Sequence, residues 1–275
     1  MLKKLSVLTF VFAVLIVSVL GSKKASSKSD VVEITANNFV VFNGEVNSQS
    51  VAKASADLGA LSARLDEDDV IYLIINSPGG SVSAGKQFIS FGQGIPQKIK
   101  TISLFAASMG FHFSQGFDER LVLSSSLLMS HRASVSGMSG QIPGELDRRI
   151  AMLKDMIRDL DEHAAKRASI TLKAYADIVH DELWLTGKVA VQDKFADRLI
   201  SAKCSKELLD DTITEQYDVP LFGSVDITLS KCPLITGALS AKLSKGNKTV
   251  VQGMTEQMLI NAYNNRFRGV SKMEM

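Results

Sequence analysis

The run VIYLIIN at residues 70–76 constrains the fold more than any other segment. It carries no charge, and it is bounded by the acidic DEDD on one side and by SPGG on the other. Alternation of apolar and polar residues marks a strand with one wet face. A continuous apolar run of strand length marks one that is covered on both faces. Such a strand needs helices packed above and below its sheet, so the segment predicts a layered α/β architecture.

The surrounding pattern agrees with that expectation. VAKASADLGALSARL places Val51, Ala54, Leu58, Leu61 and Leu65 at helical spacing, and VVEI and NNFVVFNGEV upstream read as strand-like. Gly79 and Gly80 turn the chain, after which Ser81 caps a helix through Ala84, Phe88 and Ile89. A second strand, KTISLFA at residues 100–106, runs into Ala107-Ser108-Met109-Gly110 and the helix-like FHFSQGF. A third, RLVLSSSLLMSH, covers residues 120–131. The longest helical pattern spans residues 145–168 with Leu146, Ile150, Leu153, Ile157, Leu160 and Ala164 on one face, suited to packing on its own domain or to contacts between copies. Beyond residue 203 there are short strand-like pieces, LFGSVDITL and KTVVQGM, and one helical pattern, TEQMLINAYNNRF.

The N-terminus reads differently. Lys3 and Lys4 precede an apolar run from Leu5 to Gly21, followed by Ser22, Lys23, Lys24 and a serine-rich stretch to Asp30. A basic start followed by an apolar run is a targeting segment, expected here to be a signal peptide or a membrane anchor over residues 1–21. Its length lies between that of a cleaved signal and the roughly 20 residues of a spanning helix. Residues 22–31 then form a polar linker, and folding is expected to begin near Val32. The expected location is exported, either periplasmic or anchored in the inner membrane.

With 31 basic against 29 acidic residues the net charge is +2, which gives no reason to expect a nucleic-acid partner. Cys204 and Cys232 have neither C-x-x-C spacing nor a histidine neighbour, so no metal or other cofactor is expected. They are free thiols or, in an oxidising compartment, a disulfide.

Strand ends of an α/β sheet are where chemistry is expected. Ser108 stands at such an end, where strand gives way to helix among the small residues Ala106, Ala107 and Gly110. The Met109 N–H, at the start of that helix, and the Gly80 N–H, in the Gly-Gly turn, are candidate donors to an oxyanion. His131 ends the third strand, where a parallel neighbour would bring it beside Ser108 as general base. Of the other histidines, His112 and His163 lie on helical segments and His180 precedes the acidic pair Asp181-Glu182.

The segments VIYLIINSPGGSVSAG, AASMG and LLMSHRASVSGMSGQ, in that order, resemble the motifs of the Clp protease proteolytic subunit family. The likeness extends from FVVFNGEVNSQSV upstream to WLTGKVAVQDKFADRLI downstream, roughly residues 38–200. It implies the ClpP/crotonase-like layered α/β fold, made of repeated strand-strand-helix units with a long projecting helix. It further implies a serine peptidase domain over residues 32–203, followed by a C-terminal extension over residues 204–275. The implied site is a triad with Ser108 as nucleophile and His131 as base, an oxyanion hole from Gly80 and Met109, and substrate contacts from Gly79, Ser81 and Val82. Where the family has an aspartate, register places Glu182, with Asp181 beside it, so either is a candidate third member.

Polypeptide substrates and assembly into a homo-oligomeric ring follow from the same resemblance. The family's ATPase partnership does not carry over to an exported chain, which would meet no ATP-driven unfoldase. Three other functions compete: a signal-peptide-peptidase-like membrane protease with lysine as the base, a crotonase-type acyl-CoA enzyme, and an inactive scaffolding homologue.

Overall fold

The apolar run at residues 70–76 sits one strand in from the edge of a six-stranded sheet, and Ile71, Leu73, Ile74 and Ile75 are fully buried. The computed structural model describes residues 30–135, 137–219, 223–243 and 256–267. The expected targeting segment, nearly all of the linker and the KTVVQGM piece lie outside the described residues.

In chain order the first elements are β1 (Val31–Ile34), β2 (Phe39–Asn43), α1 (Ser48–Ser62), β3 (Val70–Ser77) and α2 (Val82–Gln93). Then come β4 (Lys98–Ala107), α3 (Met109–Gln115), β5 (Glu119–Ser130), α4 (Glu145–Arg167) and α5 (Leu172–Ile178). A 3-10 turn (Val179–Asp181) leads to β6 (Leu183–Thr186), α6 (Gly187–Gln192), β7 (Arg198–Leu199), β8 (Ser201–Cys204) and α7 (Lys206–Asp210). The remaining elements are β9 (Thr212–Val219), β10 (Gly223–Ser230), β11 (Ala238–Leu243) and α8 (Glu256–Phe267).

β2, β3, β4 and β5 run parallel in that order. The outer edge of β5 is shared: β6 pairs antiparallel with Leu127–Ser130, and β7 pairs parallel with Leu121 and Val122. One face of the sheet packs on α1 to α5 through an aromatic cluster of Phe42, Phe88, Phe113 and Phe117. The other face, with Ile74, Ile102 and Leu121, is covered by Ile34, Ile200 and Leu208 from β1 and the β8–α7 region. Burial on both faces is the physical reason that β3 carries no alternation. The layered α/β fold expected from the sequence is therefore present.

β9, β10 and β11 form a separate antiparallel sheet whose small core, Val225, Ile227 and Ala241, is closed by Leu259 and Tyr263 of α8. Cys204, ending β8, and Cys232, following β10, form a disulfide that ties this sheet to the main domain. In a chain-entropy account, linking residues 28 apart stabilises the fold by roughly 3.5 kcal/mol.

Behind the helix layer an ion-pair network joins elements far apart in sequence. Arg120, almost fully buried, donates to Asp197 and to Gln115 Oε1, and Arg167 of α4 also reaches Asp197. Burial alone would raise the Asp197 carboxyl, but the hydrogen bonds from Arg120 outweigh it and hold the group below the ordinary carboxylate value. Asp197→Asn is expected to cost about 2–3 kcal/mol at neutral pH, less than the loss from a fully buried pair because Asp197 is 33% exposed. A carboxyl with a depressed folded-state pKa contributes fully above its unfolded value of about 4, and the contribution is lost as pH falls through the folded value. Urea unfolding of wild type and variant should therefore show a stability gap at pH 7 that closes below about pH 4. A gap independent of pH would contradict this assignment.

Candidate active site

β3 and β4 end side by side, with Ser77 opposite Ala106, so the turns that follow them open at the same end of the sheet. After β3 the backbone turns at Gly79 and Gly80, with φ of 93° and 143°. These values lie in the region that favours glycine. A Cβ on Gly79 would stand 2.6 Å from Ser108 Cβ and 2.8 Å from Met109 N, so the two turns touch backbone to backbone. Hydrogen bonds from Val46 N to Gly79 O and from Ser81 N to Val46 O, both 2.8 Å, hold the Gly-Gly turn against the segment entering α1.

After β4 the chain enters α3 through Ser108, which has φ 53° and ψ −118°. A non-glycine residue there carries strain of about 1–3 kcal/mol. The Ser108 N–H donates to Met129 O at 2.8 Å, and Phe111 N donates back to Ser108 O at 3.0 Å, so β5 and α3 hold the conformation from both sides. A sharp strand-to-helix turn with its hydroxyl exposed is the geometry in which a nucleophilic serine is presented to substrate.

His131 follows the last residue of β5 and meets Ser108: its Nε2 is 2.9 Å from Ser108 Oγ. Parallel pairing of β4 with β5, Ala107 opposite Met129, creates that juxtaposition. Beneath it, Tyr175 of α5 shares a 2.6 Å hydrogen bond with Ser130 Oγ and anchors the residue before His131. Neither the Gly80 N–H nor the Met109 N–H donates a hydrogen bond among the described residues. Met109 is the first residue of α3, where such groups have no intrahelical partner. Ser81 caps α2 by accepting from Ala84 N, and Val82 is the first residue of that helix.

Asp181 and Glu182 are placed elsewhere. The Asp181 carboxylate is bound to His180 Nδ1 at 2.6 Å with its side chain 91% exposed, and the Glu182 carboxylate accepts from Trp184 Nε1 at 2.9 Å. Among the described residues, the side-chain hydrogen bond of His131 is the one to Ser108.

Two further groups near the pair carry no site role in the sequence reading, which places His112 only on a helical segment and does not name Asp161. His112, one turn into α3, is largely buried, and burial, then the neighbouring His163 and His131, push its pKa down to about 4. Asp161 of α4 lies 3.9 Å from His112 Nε2, and burial pushes its carboxyl up to about 6. The sequence does carry a signal for Asp161, because it stands four residues after Ile157 on the apolar stripe of α4, where a charge is out of pattern. No group of three or more metal-ligating side chains occurs among the described residues.

A cleft of about 660 Å³ lies between β2 and α1 on one side and β9 and β10 on the other, lined in part by Phe42, Lys53, Tyr217 and Tyr263. It contains neither Ser108 nor His131, whose 2.9 Å contact lies at the end of the sheet.

The model of the Clp protease family matches residues 22–203. A Clp protease proteolytic subunit 2 from Cutibacterium acnes, named as ATP-dependent, is 30% identical over 168 residues, which is 60% of this chain and 78% of that protein. A subunit 2 from Bifidobacterium longum is 31% identical over 161 residues, 57% of this chain and 76% of the relative. A subunit 1 from Streptomyces avermitilis is 30% identical over 175 residues, 62% and 78% of the two chains. With a layered parallel sheet, a Gly-Gly turn packed against a strained serine and a family match over most of the main domain, the chain belongs to the Clp protease family.

Proposed function

We propose that this chain is a serine endopeptidase that hydrolyses polypeptides through an acyl-enzyme on Ser108. The observation that carries it is the 2.9 Å contact between His131 Nε2 and Ser108 Oγ at a strained strand-to-helix turn. Ser108 Oγ attacks the scissile carbonyl carbon as its proton passes to His131 Nε2. The oxyanion is received by the Gly80 and Met109 N–H groups, which have no other acceptor among the described residues. His131 then protonates the leaving amine as the C–N bond breaks, and water, deprotonated by the same imidazole, releases the acid product.

The reaction as drawn uses a serine-histidine dyad. For Glu182 or Asp181 to complete a triad, its carboxylate would have to leave Trp184 or His180 and reach His131. Histidine in contact with the nucleophile favours this mechanism over lysine activation, and a paired serine and histidine have no use in a crotonase-type enzyme.

The basic and apolar N-terminus supports export, with the chain periplasmic or anchored in the inner membrane. The Cys204–Cys232 disulfide fits an oxidising compartment. Cleavage outside the cytoplasm would be ATP-independent, unlike the relatives named above. Assembly into a homo-oligomeric ring is proposed on family grounds.

A fluorophosphonate probe should label the full-length chain, and Ser108→Ala should abolish labelling. His131→Ala should slow it by about 10³-fold or more. Labelling that survives Ser108→Ala would exclude this nucleophile. In the dyad mechanism Glu182→Gln and Asp181→Asn each reduce kcat/KM on a fluorogenic peptide by less than about fivefold. A loss of roughly 100-fold in one of them would identify that carboxylate as a triad member during turnover.

A further inference from the structure

Glu119, Asp161 and Asp197 have side chains two-thirds or more withdrawn from solvent, at 23%, 23% and 33% exposure. Glu119 meets Lys100 and Arg198, and Asp197 meets Arg120 and Arg167. Asp161 has no lysine or arginine partner among the described residues. Its one neighbour of basic type is His112 Nε2 at 3.9 Å, too far for a hydrogen bond. His112 supplies no charge there, because burial and two nearby imidazoles keep it neutral at pH 7. Lys86, which reaches α4 from α2, is committed to Asp159. A carboxylate withdrawn this far without a cation is costly to the fold, and a group of that kind close to a serine-histidine pair marks a binding role.

The position of Asp161 identifies the cation. His112 is four residues beyond Ser108 and its N–H approaches Ser108 O at 3.3 Å, while its ring is within electrostatic reach of His131. On its other side Asp161 acts electrostatically on Tyr175, whose hydroxyl is hydrogen-bonded to Ser130, the residue before His131. The carboxylate is therefore bracketed between α3 and the end of β5, beside His112, which lies four residues (roughly 6 Å of helical rise) beyond the nucleophile. A side chain entering there from the residue acylated on Ser108 would meet Asp161 with the end of a stem as long as that of lysine or arginine.

We propose that, given the peptidase activity proposed above, Asp161 is the specificity-determining residue of the enzyme and pairs with a lysine or arginine side chain at the substrate residue whose carbonyl Ser108 attacks. The carboxylate is already largely withdrawn from solvent before substrate arrives, at 23% exposure, so the incoming cation gains a charge-assisted hydrogen bond with little further desolvation of Asp161. Substrates with an apolar residue at that position leave the charge unmatched, and discrimination follows from the difference.

The test uses the full-length chain and two fluorogenic peptides that differ at that one residue, lysine in one and norleucine in the other. Wild type is expected to favour the lysine peptide in kcat/KM by about 10- to 100-fold. In Asp161→Asn that ratio should fall to within about threefold of unity, and Asp161→Lys should shift preference toward a glutamate peptide. Each readout is a ratio within one preparation, so partial loss of folded protein cancels. A wild-type ratio within about threefold of unity would overturn the proposal. So would an Asp161→Asn variant that loses activity equally on both peptides, which would make Asp161 a support for His131. Wild type that takes up no fluorophosphonate would reject the peptidase mechanism and this specificity with it, whereas Ser108-dependent labelling with a flat ratio rejects the specificity alone.

Discussion

The backbone contact between the Gly79-Gly80 turn and the turn at Ser108 is the constraint on which the site depends. Any side chain at Gly79 would occupy the space of Ser108 Cβ and Met109 N, and any at Gly80 would strike Val46 O at 2.3 Å. Without side chains, the ends of β3 and β4 approach closely enough to place the glycine turn directly against Ser108 and Met109. The local strain at Ser108 persists because β5, α3 and the glycine turn each fix part of its backbone.

The same arrangement sets the electrostatics. His131 is the first residue after β5, and its neighbour Ser130, the last of that strand, is tethered to buried Tyr175, so the imidazole has a defined approach to Ser108. Rigid elements place catalytic groups more reliably than loops do. Around this pair the fold leaves His112 neutral and Asp161 without a basic partner, while it compensates Glu119 and Asp197 fully.

Much of this was legible in the sequence. β3 stood out because a strand buried on both faces has no polar positions, and the order of the Gly-Gly turn, AASMG and a strand-end histidine located the pair that the structure brings to 2.9 Å. Other features depend on three-dimensional contacts that no linear pattern encodes. The start of α1 at Ser48 precedes the apolar spacing because Asn47 caps it through the N–H groups of Gln49 and Ser50. The irregularity between β4 and β5 is stitched by Ser126, whose hydroxyl bonds both Leu123 N and Ser103 O. Asp181 and Glu182 could be located in register, but the partners of their side chains, His180 and Trp184, are set by local geometry. The β6 and β7 strands, four and two residues long, are too short to carry a period of their own.

The most direct measurement is peptide-level mass spectrometry of the full-length chain after reaction with a fluorophosphonate. One stoichiometric adduct is expected, on Ser108 in the AASMG segment. A stoichiometric adduct on another residue, or a rate on Ser108 no greater than on surface serines, would contradict the assignment of Ser108 and His131 as the reacting pair.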